Sequence, residues 1–170
     1  FFLAKDGHSH VSIGVDTTNP ELLRLAISLQ EKIFALGGAR PPIENIGPVS
    51  GPGSTNMMWR MIYFVQDLRS MGEQPLYTVS WEYHQPGYSL NCGKRLRIAY
   101  SDVANAREAI ETVLMKEFGA TLTDKTPTTG KRRLLYIPVE KPKQNLGVVV
   151  REIMKKRWEP ANQPSEATSQ

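Results

Sequence analysis

The chain has 170 residues, 40% hydrophobic and 22% charged, with a net charge of +4, which suits one globular domain able to bury about two-thirds of its unfolded surface. No run approaches the roughly 18 consecutive apolar residues of a membrane-spanning helix. A lone cysteine, Cys92, excludes a disulfide framework and points to a reducing intracellular compartment, the cytoplasm or an organelle matrix.

The N-terminus lacks the basic-then-apolar pattern of a signal peptide, and a chain that starts at Phe1 is expected to be a piece of a longer protein. Residues 9–16 alternate, with Val11, Ile13 and Val15 on one side and His10, Ser12 and Gly14 on the other, which predicts a half-buried strand. Asn19-Pro20-Glu21 then supplies a cap, a first-turn proline and an acid suited to a helix start. The stripe Leu22, Leu25, Ala26, Leu29, Ile33 and Leu36 predicts a helix that Gly37-Gly38 stops. Residues 39–53, rich in glycine and proline, read as a loop. Residues 55–71 are apolar on nearly every side and predict a second helix, either deeply buried or docking a protein partner through Met57, Met61 and Phe64.

Residues 76–84 and 94–100 predict a hairpin whose connection carries the turn signal Gln85-Pro86-Gly87. Asp102 caps a third predicted helix, 103–118, with Ala106, Ala109, Ile110, Val113 and Leu114 inward and Gly119 at its end. A strand follows at 132–139, cut short or held at an edge by Pro138. Residues 144–158 read as a basic helix with Lys155-Lys156-Arg157 at its C-terminal end. From Glu159 the chain has no apolar period and is expected to be a disordered tail. The predicted organisation is one α/β domain over 1–158, with a loop-plus-helix insertion at 39–72, and a tail at 159–170.

Without the inserted helix and the last one, the order is β-α-β-β-α-β. This is the split βαβ, or ferredoxin-like, α+β two-layer sandwich, in which the first and third strands are central neighbours. The stretch Leu96-Arg97-Ile98-Ala99-Tyr100-Ser101-Asp102-Val103-Ala104-Asn105-Ala106-Arg107-Glu108-Ala109-Ile110 resembles the third strand and second helix of an RNA-recognition motif. The resemblance covers about 20 residues and implies that topology. It does not extend to the base-stacking positions, which hold arginines here.

Charge gives the functional expectation. Residues 86–170 carry 15 Lys and Arg against 9 Asp and Glu, a net of +6, while residues 1–85 are net −2. If Leu96 and Ile98 face the helices, Arg95 and Arg97 face the other side of the sheet. Arg132, Tyr136, His10 and Ser12 are expected to join them, rimmed by Lys94 and Lys131. An open face of this kind suits phosphates and bases. The alternative for the arginines is a solvated face, or pairing with Glu82 and other carboxylates. The leading expectation is a non-catalytic nucleic-acid-binding module, for RNA or single strands, within a larger complex. Two others stand beside it: a phosphoesterase or nuclease using His10 and His84 as acid and base, and a structural subunit docking through helix 55–71. No cofactor or metal is expected, because His8-x-His10 lacks a fixed third ligand among Asp16, His84 and Cys92. The glycine loop from Gly47 to Thr55 lacks the Gly-Lys-Ser/Thr ending of a phosphate-binding loop, and its role is left open.

Overall fold

Lys5-Asp6-Gly7-His8 reverses the chain in two residues. Asp6 and Gly7 both have positive φ, 49° and 78°, the backbone of a type I′ hairpin turn, which Asp-Gly favours. The turn joins β1 (Phe2–Lys5) to β2 (His8–Ser9), with Lys5 opposite His8. In the computed structural model, residues 1–48, 60–66, 75–84, 93–124, 132, 134–138 and 148–157 are described. Among them the protein is α+β, with two helices, a six-stranded mixed sheet and a three-stranded antiparallel sheet.

After the hairpin comes β3 (Ser12–Val15), buried at every position. Its first half was expected to extend to residue 9, but Ser9 pairs instead with Ala4. Helix α1 (Pro20–Gly37) starts where predicted: the Asn19 side chain accepts from the amides of Glu21 and Leu22, both at 3.1 Å, and Pro20 fills the first turn. It ends at Gly38, which is left-handed (φ 76°) and donates to the Phe34 carbonyl at 2.8 Å. The predicted stripe, from Leu22 to Leu36, is buried. Next come β4 (Ile43–Asn45) and β5 (Arg60–Gln66). The hairpin β6 (Pro75–His84) and β7 (Gly93–Tyr100) pairs antiparallel, as expected. Helix α2 (Val103–Phe118) is capped by Asp102, which accepts from the Asn105 amide at 2.9 Å, and by left-handed Gly119. Then β8 (Leu134–Tyr136) pairs with β1, and β9 (Val148–Arg157) pairs with β6.

The large sheet runs β4-β3-β5-β7-β6-β9. Here β4, β3, β5 and β7 are parallel, β6 is antiparallel to β7, and β9 is antiparallel to β6. This order corrects two predicted helices. Residues 60–66, expected within an inserted helix, form β5, which lies between β3 and β7 and keeps those two strands from being neighbours. A strand with both faces covered is apolar without alternation, and so is a buried helix; Ile62, Tyr63, Phe64 and Val65 are β-formers that fit the first case. The stretch 39–72 is therefore no insertion: it contributes β4 and β5 to the sheet. Residues 148–157, expected within a basic helix, form edge strand β9. Its opening Val148-Val149-Val150 favours a pleated strand over a helix, and this local preference, with pairing to β6, outweighs the cations at its end. The tail beyond 158 lies outside the described residues.

Rows in register define the two faces of the large sheet. Ile13, Ile62, Leu96 and Trp81 form one row, in the same core as both helices. The opposite rows are Ser12, Met61, Arg95 and Glu82, then Gly14, Tyr63, Arg97 and Ser80. Gly14 has no side chain because Met61 Sδ occupies the space a Cβ would need, with Ile46 crowding it as well.

The small sheet, ordered β2-β1-β8, docks on the end of α1. A Cβ on Gly37 would sit 2.9 Å from the Ala4 Cβ and 3.4 Å from the Leu135 Cβ. Alanine usually improves a helix by up to about 1 kcal/mol over glycine, but overpacking against fixed atoms costs about 1–3 kcal/mol. Gly37→Ala is therefore expected to lower stability, with a reduced urea midpoint at unchanged slope. A raised midpoint would show that the helix end and β1 can separate freely.

Candidate nucleic-acid interface

The face expected to be open is covered. Met61 and Val65 are fully buried, and Tyr63, Ser80, Ser12, Ala99 and Glu82 are nearly so. Within it, the Tyr63 hydroxyl donates to Glu82 Oε1 at 2.7 Å. Arg95 Nε lies 3.6 Å from Glu82 Oε2, with only 15% of the Arg95 side chain and 9% of the Glu82 side chain exposed. The guanidinium also lies 5.9 Å from the Tyr63 ring. Burial, then the Glu82 charge, holds the Tyr63 phenol well above its usual range, and the positive charges of Arg97 and Arg95 offset part of this. The alternative weighed for Arg95, pairing with Glu82, is what the fold shows. The Glu82 carboxylate beside Arg95 balances a charge that covering protein would otherwise strand.

The remaining expected residues are dispersed. Arg132 lies apart from Arg95 and Arg97: its Nη2 donates to the Phe118 carbonyl at 2.9 Å, placing a cation at the C-terminal end of α2. Lys94 is exposed at the start of β7, opposite Arg60 and Tyr83. Lys131 lies outside the described residues. Met61 and Phe64 point to opposite faces of β5, and both are buried, so neither is presented to a partner; Met57 lies outside the described residues. His10 precedes β3 and His84 ends β6, at the same end of the strands but with β5 and β7 between them. Three strand spacings, about 14 Å, separate β3 from β6. Among the described residues no three or more His, Cys, Asp or Glu side chains cluster as a metal site, and no helix is long and apolar enough to cross a membrane.

Turns occupy the carboxyl ends of β3 and β4, a place where α/β sheets often hold ligands. Asp16 Oδ1 accepts from the Thr18 amide and hydroxyl at 3.0 and 2.6 Å. Asn45 Oδ1 accepts from the amides of Thr17 and Gly47 at 3.2 and 3.1 Å. Burial and then the Asp16 charge push the Tyr100 phenol up to about 12.

What the fold does gather is an aromatic surface on the small sheet. The Phe2 and Tyr136 rings lie 5.1 Å apart and tilted by 46°, and the Phe2 and His10 rings 6.3 Å apart. Phe2 is 40% exposed, Tyr136 39% and Leu134 46%. Lys5 Nζ is 6.0 Å from the Phe2 ring. Cross-strand pairing creates this surface, because Tyr136 stands opposite Phe2. Inward, Leu3, Ala4, Leu135 and Ile137 are buried in the main core. Phe1 continues β1, and its nitrogen donates to the Ile137 carbonyl at 2.9 Å. Lys94 and Arg60 lie near enough to be felt at that nitrogen. Three of the sequence-predicted residues, Tyr136, His10 and Lys94, thus lie around β1, with Phe2, Lys5 and Arg60 beside them. Phe2 carries a sequence signal, the Asp-Gly turn behind a short apolar run; Arg60 carries none, because the strand it opens reads as helix. Comparison with known protein families and with curated proteins finds no match for this chain.

Proposed function

We propose that the chain binds single-stranded nucleic acid without acting on it, through the outer face of β2-β1-β8. The carrying observation is the cluster of the exposed Phe2 and Tyr136 rings with the half-buried His10 and with Lys5 beside it. Large aromatic side chains are usually withdrawn from water, and a contiguous exposed set marks an interaction surface. Nucleobases stack on such rings regardless of sequence, and nearby cations track the backbone. Lys5, Arg60 and Lys94 supply those cations, and the chain as a whole is basic, with a pI near 9.2.

Fluorescence anisotropy with a labelled oligonucleotide across a salt series tests this. Three phosphate contacts give an expected slope of about −2 in log K against log salt. Phe2→Ala/Tyr136→Ala is expected to weaken binding by about 1–3 kcal/mol for each base unstacked. Its melting temperature should fall by only a few degrees, because the aromatic pair contributes about 0.5–1.5 kcal/mol, and the fold should be retained. Unchanged affinity in the double variant would remove this surface from consideration.

A further inference from the structure

Beside the ring cluster, the amino ends of β3, β4 and β5 line a groove of about 420 Å³ whose walls include His10, Ser12, Pro42, Glu44 and Arg60. Its size falls within the roughly 300–1,000 Å³ of small-ligand sites. It continues the aromatic surface, since His10 belongs to both. It also holds opposite charges: Arg60 is exposed and Glu44 half-buried. A groove built for phosphate alone would gain nothing from a carboxylate, which repels anions. A nucleotide carries both an anion and hydrogen-bond donors. The third observation is the Ser12 hydroxyl, buried with the residue only 5% exposed and without a hydrogen-bond partner in the structure. A buried polar group left unmatched calls for an explanation, and a ligand is one. Ser12 and Glu44 lie on one face of neighbouring strands, since Glu44 pairs in register with Gly14, two residues along from Ser12.

We infer that this groove receives one ribonucleotide of the bound strand, its phosphate on Arg60 and its 2′-hydroxyl between Glu44 and Ser12. The hydroxyl donates to the Glu44 carboxylate and accepts from the Ser12 hydroxyl. The neighbouring base stacks on Phe2 and Tyr136, so the inference rests on the function proposed above. The 2′-hydroxyl is the group by which a protein tells RNA from DNA at one site. The groove therefore makes the chain an RNA binder.

The test compares eight-nucleotide oligo(U) with oligo(dU) by anisotropy, for wild type, Glu44→Ala, Arg60→Ala and Phe2→Ala/Tyr136→Ala, each checked for folding by circular dichroism. Wild type is expected to favour the ribo-oligomer about tenfold, the factor typical of one hydrogen bond to a charged group. Glu44→Ala should bring the two affinities together. Arg60→Ala should weaken both and lower the salt slope by about 0.7. The aromatic double variant should weaken both without changing their ratio. Equal affinities in wild type, or a preference that survives Glu44→Ala, would overturn the ribonucleotide site while leaving stacking on the small sheet intact. Absence of binding to either oligomer at low salt would overturn both.

Discussion

Glu82→Ala is expected to destabilise the protein by about 3–5 kcal/mol, the cost of breaking a buried ion pair from one side. Glu82 receives the Tyr63 hydroxyl and faces Arg95 where little solvent reaches. Removing the carboxylate leaves a phenol without this acceptor and a buried guanidinium without this counter-charge. Glu82→Gln keeps an acceptor for Tyr63 and should lose less, about 1–3 kcal/mol. Urea unfolding measures both, and a loss below about 1 kcal/mol for the alanine variant would show the face wet enough to solvate Arg95 alone. The same cluster sets an alkaline limit. With the Tyr63 phenol held above its ordinary range, the folded state keeps a proton that the unfolded chain releases near pH 10, so stability falls as pH rises past about 10. Tyr63→Phe should remove part of that decline.

The second large effect lies on the other side of β6. Trp81 is buried in the main core, and the Phe1 ring meets it edge-on at 4.6 Å and 77°. This contact ties the small sheet to the large one. Trp81→Ala is expected to cost about 3–5 kcal/mol, together with a fall in oligonucleotide affinity because the surface carrying Phe2 and Tyr136 loses its anchor. Trp81→Phe should retain most of both. A folded Trp81→Ala protein with wild-type affinity would mean that the small sheet is held by α1 alone.

The sequence is most legible where one element carries several agreeing signals. Asn19-Pro20-Glu21 with a regular stripe gives α1, Asp102 and Gly119 bracket α2, and alternation on both sides of a turn gives the β6–β7 hairpin. It is least legible at β5, whose covering on both faces erases the alternation by which strands are read. Reading β5 as a helix removes the centre of the sheet and leaves the face bearing Arg95 and Arg97 uncovered. The position of Arg132 could not be read locally either, since it depends on where α2 ends in space. Tyr136 and His10 lie beside Phe2 of the small sheet and not on the face expected to hold them, because β1, their common neighbour, is too short to read as a strand.

Strand β9 closes one end of the large sheet, and its position bears on how the protein behaves when concentrated. An edge of ten residues beginning with three valines would be a template for stacking one molecule on the next. The pairing with β6 shifts register between Val79 and Ser80 and again between Pro75 and Tyr77, which interrupts a flat ladder. Exposed Glu152, Lys155 and Lys156 punctuate the rest, with Lys156 tethered to Glu108 of α2 at 2.6 Å. Lys155 and Lys156 at the strand's end are thus expected to disfavour edge-to-edge joining of neighbouring molecules.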